Sequence, residues 1–394
     1  SMVARWVITG EMRLETAAHF GGEAKTAVDM TVLRDPRDGT LLLPGTSLAG
    51  ALRSHLADVL GGYRSSESKH VAALFGGARG DDAGFQSPLI VFDALAQLPE
   101  DLTVEIRDGV AIEATTGTAE PHKKFDFEVL PAGTRFPLRV ELIIEESQRE
   151  AFLLGLLMTA LNGLAEGEIS LGMRRSRGLG AVRVHQWKAL RHDLTTSQGW
   201  LGWLTSHHEE PIGNGIPSYA SVADAIRRVC PCGEALDSFL NTIRDKRRRM
   251  EVELDLEIAG DLLVRSPATD PKAPDAVHLC SAGKPILPGT GFAGALRTQA
   301  LRIARLVRQV QGDGELWIER LFGPRLEEED QNSQKGPVAS KLRITESFIA
   351  NGLPRRHTRI AIDRFTGGVV KGALFEEEVQ AGGRRAARWQ LRNP

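Results

Sequence analysis

One eleven-residue phrase occurs twice in this chain. Residues 43–53 read LPGTSLAGALR and residues 287–297 read LPGTGFAGALR, so nine of the eleven positions are identical. A second stretch, IAIDRFTGGVVKGALFEEEVQAGG at 360–383, aligns without a gap with VAIEATTGTAEPHKKFDFEVLPAG at 110–133. Two matches in the same order indicate a duplicated structural unit. The sequence therefore predicts that the 394 residues contain two copies of one module.

The hydrophobic pattern of the first copy predicts the element order βαββαβ. In chain order the predicted elements are a strand at 4–14, a helix from the repeated phrase to about residue 60, a strand at 88–94, a long hairpin within 110–136 that leads into a third strand, a helix at 148–164 and a strand at 181–187. This order is that of the ferredoxin-like fold, an α+β platform resembling that of RRM-type RNA-binding modules. We expect two such domains in tandem.

The second copy repeats this order from residue 252 but lacks its last two elements. After Trp389 there is no amphipathic helix, no glycine-rich loop and no final strand. A βαββ unit leaves an open sheet edge, so we expect either a shortened chain or completion by another chain. The predicted boundaries are a first domain at 2–190, a helical linker at 191–250 and an incomplete second domain at 251–394.

The repeated phrase predicts an anion-binding helix start. A Pro-Gly turn precedes Thr46 and Thr290, which are well placed as N-caps. Free N–H groups at a helix start attract phosphate, so Thr46, Ser47 and Thr290 are candidate RNA contacts. Arg53 and Arg297, about two turns into each helix, would add backbone contacts. A capped helix whose small residues pack against a sheet is the alternative.

A second candidate RNA contact is the glycine-rich loop LGMRRSRGLG at 171–180. Arginine binds phosphate bidentately and stacks on bases, and glycine lets the backbone approach RNA closely. The predicted RNA-binding residues of this loop are Arg174, Arg175, Ser176, Arg177 and Gly178. A basic surface loop without a ligand is the alternative interpretation.

Composition restricts the partners and the compartment. The net charge is −2, so any nucleic-acid binding must come from local basic patches. No apolar run approaches the length of a membrane span, and no signal peptide is visible, so we expect no membrane partner and a cytoplasmic location. Cys230 and Cys232, with His207 and His208 nearby, match no common zinc spacing, which makes zinc unlikely.

These motifs, in this order, resemble those of the RAMP superfamily of CRISPR-associated proteins. The resemblance covers 3–187 and 252–383 and rests on the His-Phe-Gly-Gly turn at 19–22, the aspartate-bearing loop, the Pro-Gly-Thr helix start and the glycine-rich loop. The chain is most similar to the backbone subunits of type III effector complexes. That resemblance implies binding of guide RNA and complementary target RNA, other effector subunits as partners, and a β-hairpin "thumb" at about 108–124 and again at 358–373.

The same resemblance implies metal-dependent endoribonuclease activity, with an aspartate in the first loop as the catalytic residue. Asp29 occupies that position, and Asp275 is its best counterpart in the second copy, ahead of Asp270. These aspartates would hold Mg²⁺ or Mn²⁺, because Mg²⁺ binds through one or two carboxylates and completes its shell with water and phosphate oxygens.

His19 is a possible accessory residue, either as a general acid–base or as a brace for its loop; we favour bracing. The second copy has Leu262-Leu263-Val264-Arg265 where the first has the His-x-Gly-Gly turn, which weakens the prediction of catalysis there. Two other functions stay open. One is a non-catalytic guide-RNA scaffold, and the other is a metal-independent endoribonuclease that processes guide RNA.

Overall fold

The structure is a computed structural model that describes residues 2–21, 29–77, 86–112, 119–206, 212–213, 215–266, 273–308, 314–323 and 340–393. The first module contains β1 (Ala4–Leu14), β2 (Leu42–Leu43), α1 (Gly45–Gly61), α2 (Lys69–Phe75), β3 (Leu89–Val91), β4 (Ala94–Leu95), β5 (Glu105–Ile112), β6 (Ala119–Val129), β7 (Arg135–Ile144), α3 (Glu150–Ala165) and β8 (Val182–Asp193). Its antiparallel sheet has the order β3-β7-β1-β8, with β5 and β6 forming a separate hairpin. This is the ferredoxin-like order that the sequence predicts.

The core of the first module lies between this sheet and the helices. Trp6, Ile8 and Met12 lie on one face of β1 and are fully buried. Leucines at helical spacing on α3 pack against them. Glu150 is a buried polar residue of this module: its Oε1 accepts a hydrogen bond from Trp6 Nε1 at 2.7 Å, and the carboxylate is paired with Arg191.

The segment predicted as a helical linker contains α4 (Ser197–Leu204), α5 (Val222–Val229) and α6 (Gly233–Leu240). Val222, Ile226 and Leu236 are buried within the hydrophobic core of the first module. The segment therefore packs as part of that module. The start of this segment also differs from the predicted boundary at residue 191, because β8 continues to Asp193.

The second module contains β9 (Arg248–Glu257), β10 (Asp261–Leu262), β11 (Arg265–Ser266), β12 (Ala276–His278), β13 (Cys280–Ser281), β14 (Lys284–Leu287), α7 (Gly289–Arg308), α8 (Gly314–Phe322), β15 (Leu342–Ile344), β16 (Ser347–Phe348), β17 (Leu353–Ile362), β18 (Val369–Ala381) and β19 (Arg384–Asn393). Its sheet has the order β15-β19-β9, and β17 with β18 forms the second hairpin. These strands correspond to β3, β7 and β1, so the described part of the second module contains three of the four platform strands.

Side-chain hydrogen bonds show that the modules are equivalent in detail. Ser87 Oγ donates to the carbonyls of Leu74 and Leu89, at 3.0 and 2.9 Å. Ser340 Oγ makes the same bonds to Leu321 and Leu342, at 3.0 and 2.8 Å. The duplication predicted from two short matches therefore extends through the helix-to-strand connections.

The modules differ in how much of the platform is covered. Among the described residues β9 pairs only with β19, whereas β1 pairs with both β7 and β8. Trp6 is fully buried, but Met250 at the equivalent place on β9 is 56% exposed. Trp317 on α8 is 68% exposed. His70, at the equivalent place on α2, contacts Phe152 of α3. The second module thus has the βαββ form that its sequence predicts.

Candidate nucleic-acid interface

Asp29 lies beside the first hairpin with its carboxylate exposed. Its Oδ2 accepts a hydrogen bond of 2.9 Å from the backbone N–H of Asp126 on β6. The next residue, Met30, forms a parallel bridge to Phe127, so the aspartate-bearing segment runs alongside the hairpin strand. A main-chain donor therefore fixes the direction of the Asp29 side chain while leaving it open to solvent.

Asp275 has the same arrangement in the second module. It is exposed, and its Oδ2 accepts a hydrogen bond of 2.8 Å from the N–H of Glu376 on β18. Asp126 and Glu376 coincide in the ungapped alignment of the two hairpins. The geometry thus makes Asp275 the structural counterpart of Asp29, in agreement with the sequence comparison. Asp270, the second choice, lies outside the described residues.

His19 lies beside the hairpin strand β6 and is only 3% exposed. Its Nδ1 is 2.7 Å from the carbonyl oxygen of Glu128, and its ring meets Phe127 edge to face. A side chain enclosed in this way holds its own segment against the hairpin strand β6 and cannot readily exchange protons with a bound RNA. The geometry fits the bracing role better than the acid–base role.

The second module has a brace that the sequence analysis missed. His278 on β12 is 7% exposed; its Nδ1 accepts a hydrogen bond of 3.2 Å from the N–H of Val264, and its Nε2 is 2.9 Å from the carbonyl oxygen of Ile286. Burial lowers the pKa of this imidazole, which favours the neutral form that these two contacts require. A histidine later in the chain therefore supports the segment that lacks the His-x-Gly-Gly turn.

The glycine-rich loop lies between the two modules. Arg174 stacks over Phe125 and Phe127, with its guanidinium carbon 4.7 and 4.9 Å from the ring centroids. Arg177 Nη2 donates a 3.1 Å hydrogen bond to the carbonyl of Phe322 in the second module. Burial lowers the pKa of both guanidinium groups, since little solvent remains around them. Part of the predicted RNA-binding loop is thus used for contacts within the protein.

Arg175 is the arginine of this loop that remains exposed. Ser176 is half-buried, and Gly178 is buried against the second module, where an added Cβ would overlap the backbone nitrogen of Glu346. Glycine is needed at Gly178 both for this close approach and for its left-handed φ of 91°. Arg175 is therefore the best-placed arginine of the loop for contact with a phosphate.

The two helix starts differ from the predicted capping. Helix α1 begins at Gly45 with Pro44 as the N-cap residue and no side-chain cap bond, so the prediction of Thr46 as N-cap is wrong. Helix α7 likewise begins at Gly289, which places Thr290 inside the helix. Both starts lie two residues earlier than predicted, because the proline supplies the extended conformation that precedes the first turn. Thr46 and the neighbouring Ser47 are nevertheless exposed.

A carboxylate already occupies part of the first helix start. Asp93 Oδ1 accepts a 2.6 Å hydrogen bond from the N–H of Gly45. Arg53 is also engaged within the protein, because its Nε donates to Glu67 at 2.8 Å, which raises the pKa of the arginine. Arg297 lies close enough to Arg177 to lower the pKa of that residue. The helix starts therefore offer fewer free cations than the sequence suggests.

A cleft of about 590 Å³ lies between the modules and includes Arg175 in its wall. Several of its charges are paired, including Glu15 with Arg183 and Glu253 with Arg388. Burial, together with the neighbouring cations Arg392 and Arg175, lowers the pKa of Arg343 to about 9. An anion that entered the cleft would relieve this repulsion.

The two aspartates fit a sparse metal site better than a closed one. No group of three or more histidine, cysteine, aspartate or glutamate side chains forms a metal cage within the described ranges. Mg²⁺ binds commonly through one or two carboxylates plus phosphate oxygens, and the exposed carboxylates of Asp29 and Asp275 suit that mode. Cys230 and Cys232 place their Sγ atoms 2.7 Å apart, and His207 and His208 lie outside the described residues.

Comparison with known proteins identifies the family. The RAMP superfamily matches residues 11–183 and 258–393, which together span most of the chain and both modules. The chain belongs to the RAMP superfamily. The two matched regions coincide with the two ferredoxin-like units of the structure.

Two relatives carry the same name, CRISPR system Cms endoribonuclease Csm3. The protein from Streptococcus thermophilus is 28% identical over 151 residues, which cover 32% of this chain and 68% of that protein. The protein from Methanocaldococcus jannaschii is 29% identical over 206 residues, which cover 47% of this chain and 80% of that protein. A search of the described residues for a helix long and apolar enough to span a bilayer found none.

Proposed function

We propose that this RAMP protein is a guide-RNA-binding backbone subunit of a type III CRISPR effector complex and that it cuts complementary target RNA. The observation that carries the proposal is the repeated aspartate arrangement, in which Asp29 and Asp275 are exposed and each accepts a hydrogen bond from the equivalent strand N–H. Its similarity to two Csm3 endoribonucleases supports the same reaction class. Its partners would be guide RNA, target RNA and other effector subunits in the cytoplasm.

Cleavage in this proposal depends on a divalent cation, Mg²⁺ or Mn²⁺, held by Asp29 in the first module and by Asp275 in the second. When bound, such a cation acts as a Lewis acid on a phosphate oxygen and can lower the pKa of a bound water. The hydrogen bonds from Asp126 and Glu376 keep one oxygen of each carboxylate in place. Each aspartate would therefore meet the RNA in a preset orientation.

The guide RNA would bind across the helix starts and the cleft between the modules. Arg175 is exposed in the wall of this cleft, and Arg343 also lines it, where burial and the neighbouring cations lower its pKa. Phosphate groups would neutralise this cluster, and arginine is suited to bidentate contact with them. Thr46 and Ser47 would add contacts at the start of α1.

The test is cleavage of a 5′-labelled RNA by the full chain loaded with a matching guide. We expect cuts in the complementary RNA with Mg²⁺ or Mn²⁺, no cuts with EDTA, and no cuts in an unmatched RNA. Asp29→Asn should remove one cut, because asparagine keeps the acceptor for Asp126 but loses the charge. Asp38→Asn is the matched control, because Asp38 is an exposed aspartate of the same module that also accepts a backbone N–H bond, from Thr40.

Two experimental outcomes would indicate a different function. Guide binding without any product under either metal would indicate a non-catalytic scaffold. Cleavage of the guide precursor in EDTA that disappears with His19→Ala would indicate a processing nuclease, although the burial of His19 argues against this reaction.

A further inference from the structure

A buried ion pair forms part of the contact between the two modules. Arg107 on β5 donates two hydrogen bonds to Glu346 in the second module, from Nη1 to Oε2 at 2.6 Å and from Nη2 to Oε1 at 3.1 Å. Both residues are buried, at 5% and 3% side-chain exposure. A bidentate guanidinium–carboxylate pair has a fixed planar geometry, so it determines orientation as well as distance.

Two further bonds surround this pair. Glu105 Oε1 accepts from the N–H of Ala282 at 2.8 Å, and Ser281 Oγ accepts from the N–H of Ala132 at 3.3 Å. Ser281 and Ala282 follow Asp275 closely in the chain, just after β12. The base of the first hairpin is therefore joined directly to the segment that carries the second aspartate.

The same hairpin also holds the first aspartate. Asp126, whose N–H binds Asp29, pairs across the hairpin with Asp108, the neighbour of Arg107. A short and regular piece of antiparallel structure thus connects Asp29 to the Arg107–Glu346 pair. Both aspartates lie within a few residues of the same set of bonds.

The pair is not a requirement of the RAMP fold, because neither position is used in this way in the other copy. His357 stands where Arg107 stands, and it contacts Asp261 of its own module at 2.8 Å. Asp93 stands where Glu346 stands, and it is exposed and accepts from Gly45. A bond that were needed to fold each module would be expected in both copies.

We propose that the Arg107–Glu346 pair fixes the separation of Asp29 and Asp275 along the target RNA, and that it thereby sets the interval between the two cuts. This inference rests on the proposed function, since it assigns a positioning role to residues that touch neither RNA nor metal. The directional bond matters here because apolar contacts resist separation but do not select one orientation.

The test replaces the pair with side chains that still fill the space. Arg107→Met with Glu346→Leu removes both buried charges together, a change that is often neutral for folding. The guide-loaded chain should still cut its target, but the second product should spread over adjacent nucleotides in place of one position. Arg227→Met with Asp237→Leu, an ion pair between two linker helices, is the matched control and should keep a single interval.

A second measurement is independent of cleavage. Spin labels at Ser54→Cys and Thr298→Cys, equivalent exposed positions on α1 and α7, report the distance between the modules in a chain whose three native cysteines are replaced by serine. We expect one narrow distance distribution with the native pair and a broader one with the Met–Leu pair. If the wild type makes no cuts, the proposed function fails and this distribution alone decides whether the pair positions the modules.

Two results would overturn the inference. One is a distance distribution that stays equally narrow without the ion pair. The other is a broadened distribution with an unchanged single cut interval, because the position of the modules would then not control the position of the cuts.

Discussion

In the first module Phe136 is fully buried and meets Phe20 edge to face, whereas the second module has Arg385 at the equivalent place on β19. The equivalence follows from the bridges beside them, Gln97 to Arg135 in one copy and Ala350 to Arg384 in the other. Arg385 is 3% exposed and stacks over the ring of Phe292 at 4.8 Å. Among the described residues its three guanidinium nitrogens have no hydrogen-bond partner.

The arrangement of the two aspartates, in contrast, is the same in both modules. The strand N–H groups of Asp126 and Glu376 hold Asp29 and Asp275 in the same way, although the core side chains at Phe136 and Arg385 differ. The backbone therefore determines where each aspartate lies, and side-chain packing determines how stable each module is. The function and the stability of the two copies can be perturbed separately.

Exchanging the side chains found at Phe136 and Arg385 should produce the largest changes in the stability of the two modules. Phe136→Arg places an unpaired charge in a filled core and should cost more than about 3 kcal/mol. Arg385→Phe removes a buried charge and should stabilise the second module by roughly 1–2 kcal/mol. Hydrogen exchange resolved by module would measure both changes. A loss of protection in the second module with Arg385→Phe would contradict the comparison.

The glycines of the repeated phrase should separate into two classes. A Cβ added to Gly45 or Gly289 would overlap the carbonyl oxygen of Val91 or Ile344, so alanine should destabilise either module by roughly 1–3 kcal/mol. Gly50 and Gly294 have open space, and alanine there should stabilise the helix by up to about 1 kcal/mol. Thermal unfolding of matched alanine variants would compare the classes. If alanine changed the stability equally at Gly45 and Gly50, or at Gly289 and Gly294, the result would argue against close packing at the helix start.

Two arginines predicted to bind RNA should behave differently. Arg175→Ala removes an exposed cation and should lower the salt slope of guide binding by roughly 0.7 for each phosphate that the protein no longer neutralises. Arg53→Ala should leave the slope unchanged, because Arg53 is paired with Glu67. Guide affinity measured across a series of salt concentrations gives both slopes. A larger change in slope with Arg53→Ala than with Arg175→Ala would indicate that the RNA runs along the outer face of α1.

The sequence predicted the features that depend on local pattern or on repetition. Alternation and helical spacing located the platform strands and helices, and the ungapped hairpin match paired Asp29 with Asp275. Sequence could not show that Asp93 binds the start of α1 or that Arg53 pairs with Glu67. These contacts depend on which loops the tertiary fold brings together.

The ion pair between the modules could not be predicted from the sequence. Arg107 and Glu346 are 239 positions apart in the chain, and each sits in an otherwise ordinary polar context. Arg385 was also missed, because an arginine on an alternating strand is usually assigned to the solvent face. Only the comparison of the two folded modules shows that it replaces a core phenylalanine.

The central claim is that each module presents one equivalent aspartate to its own position on the target RNA. Single-turnover cleavage of a 5′-labelled target by the guide-loaded chain tests it directly, with Asp29→Asn, Asp275→Asn and the double variant compared cut by cut. We expect each single variant to slow a different cut by at least about 100-fold and to leave the other unchanged, and the double variant to lose both. Loss of the same cut in both single variants, or survival of both cuts in the double variant, would contradict the account.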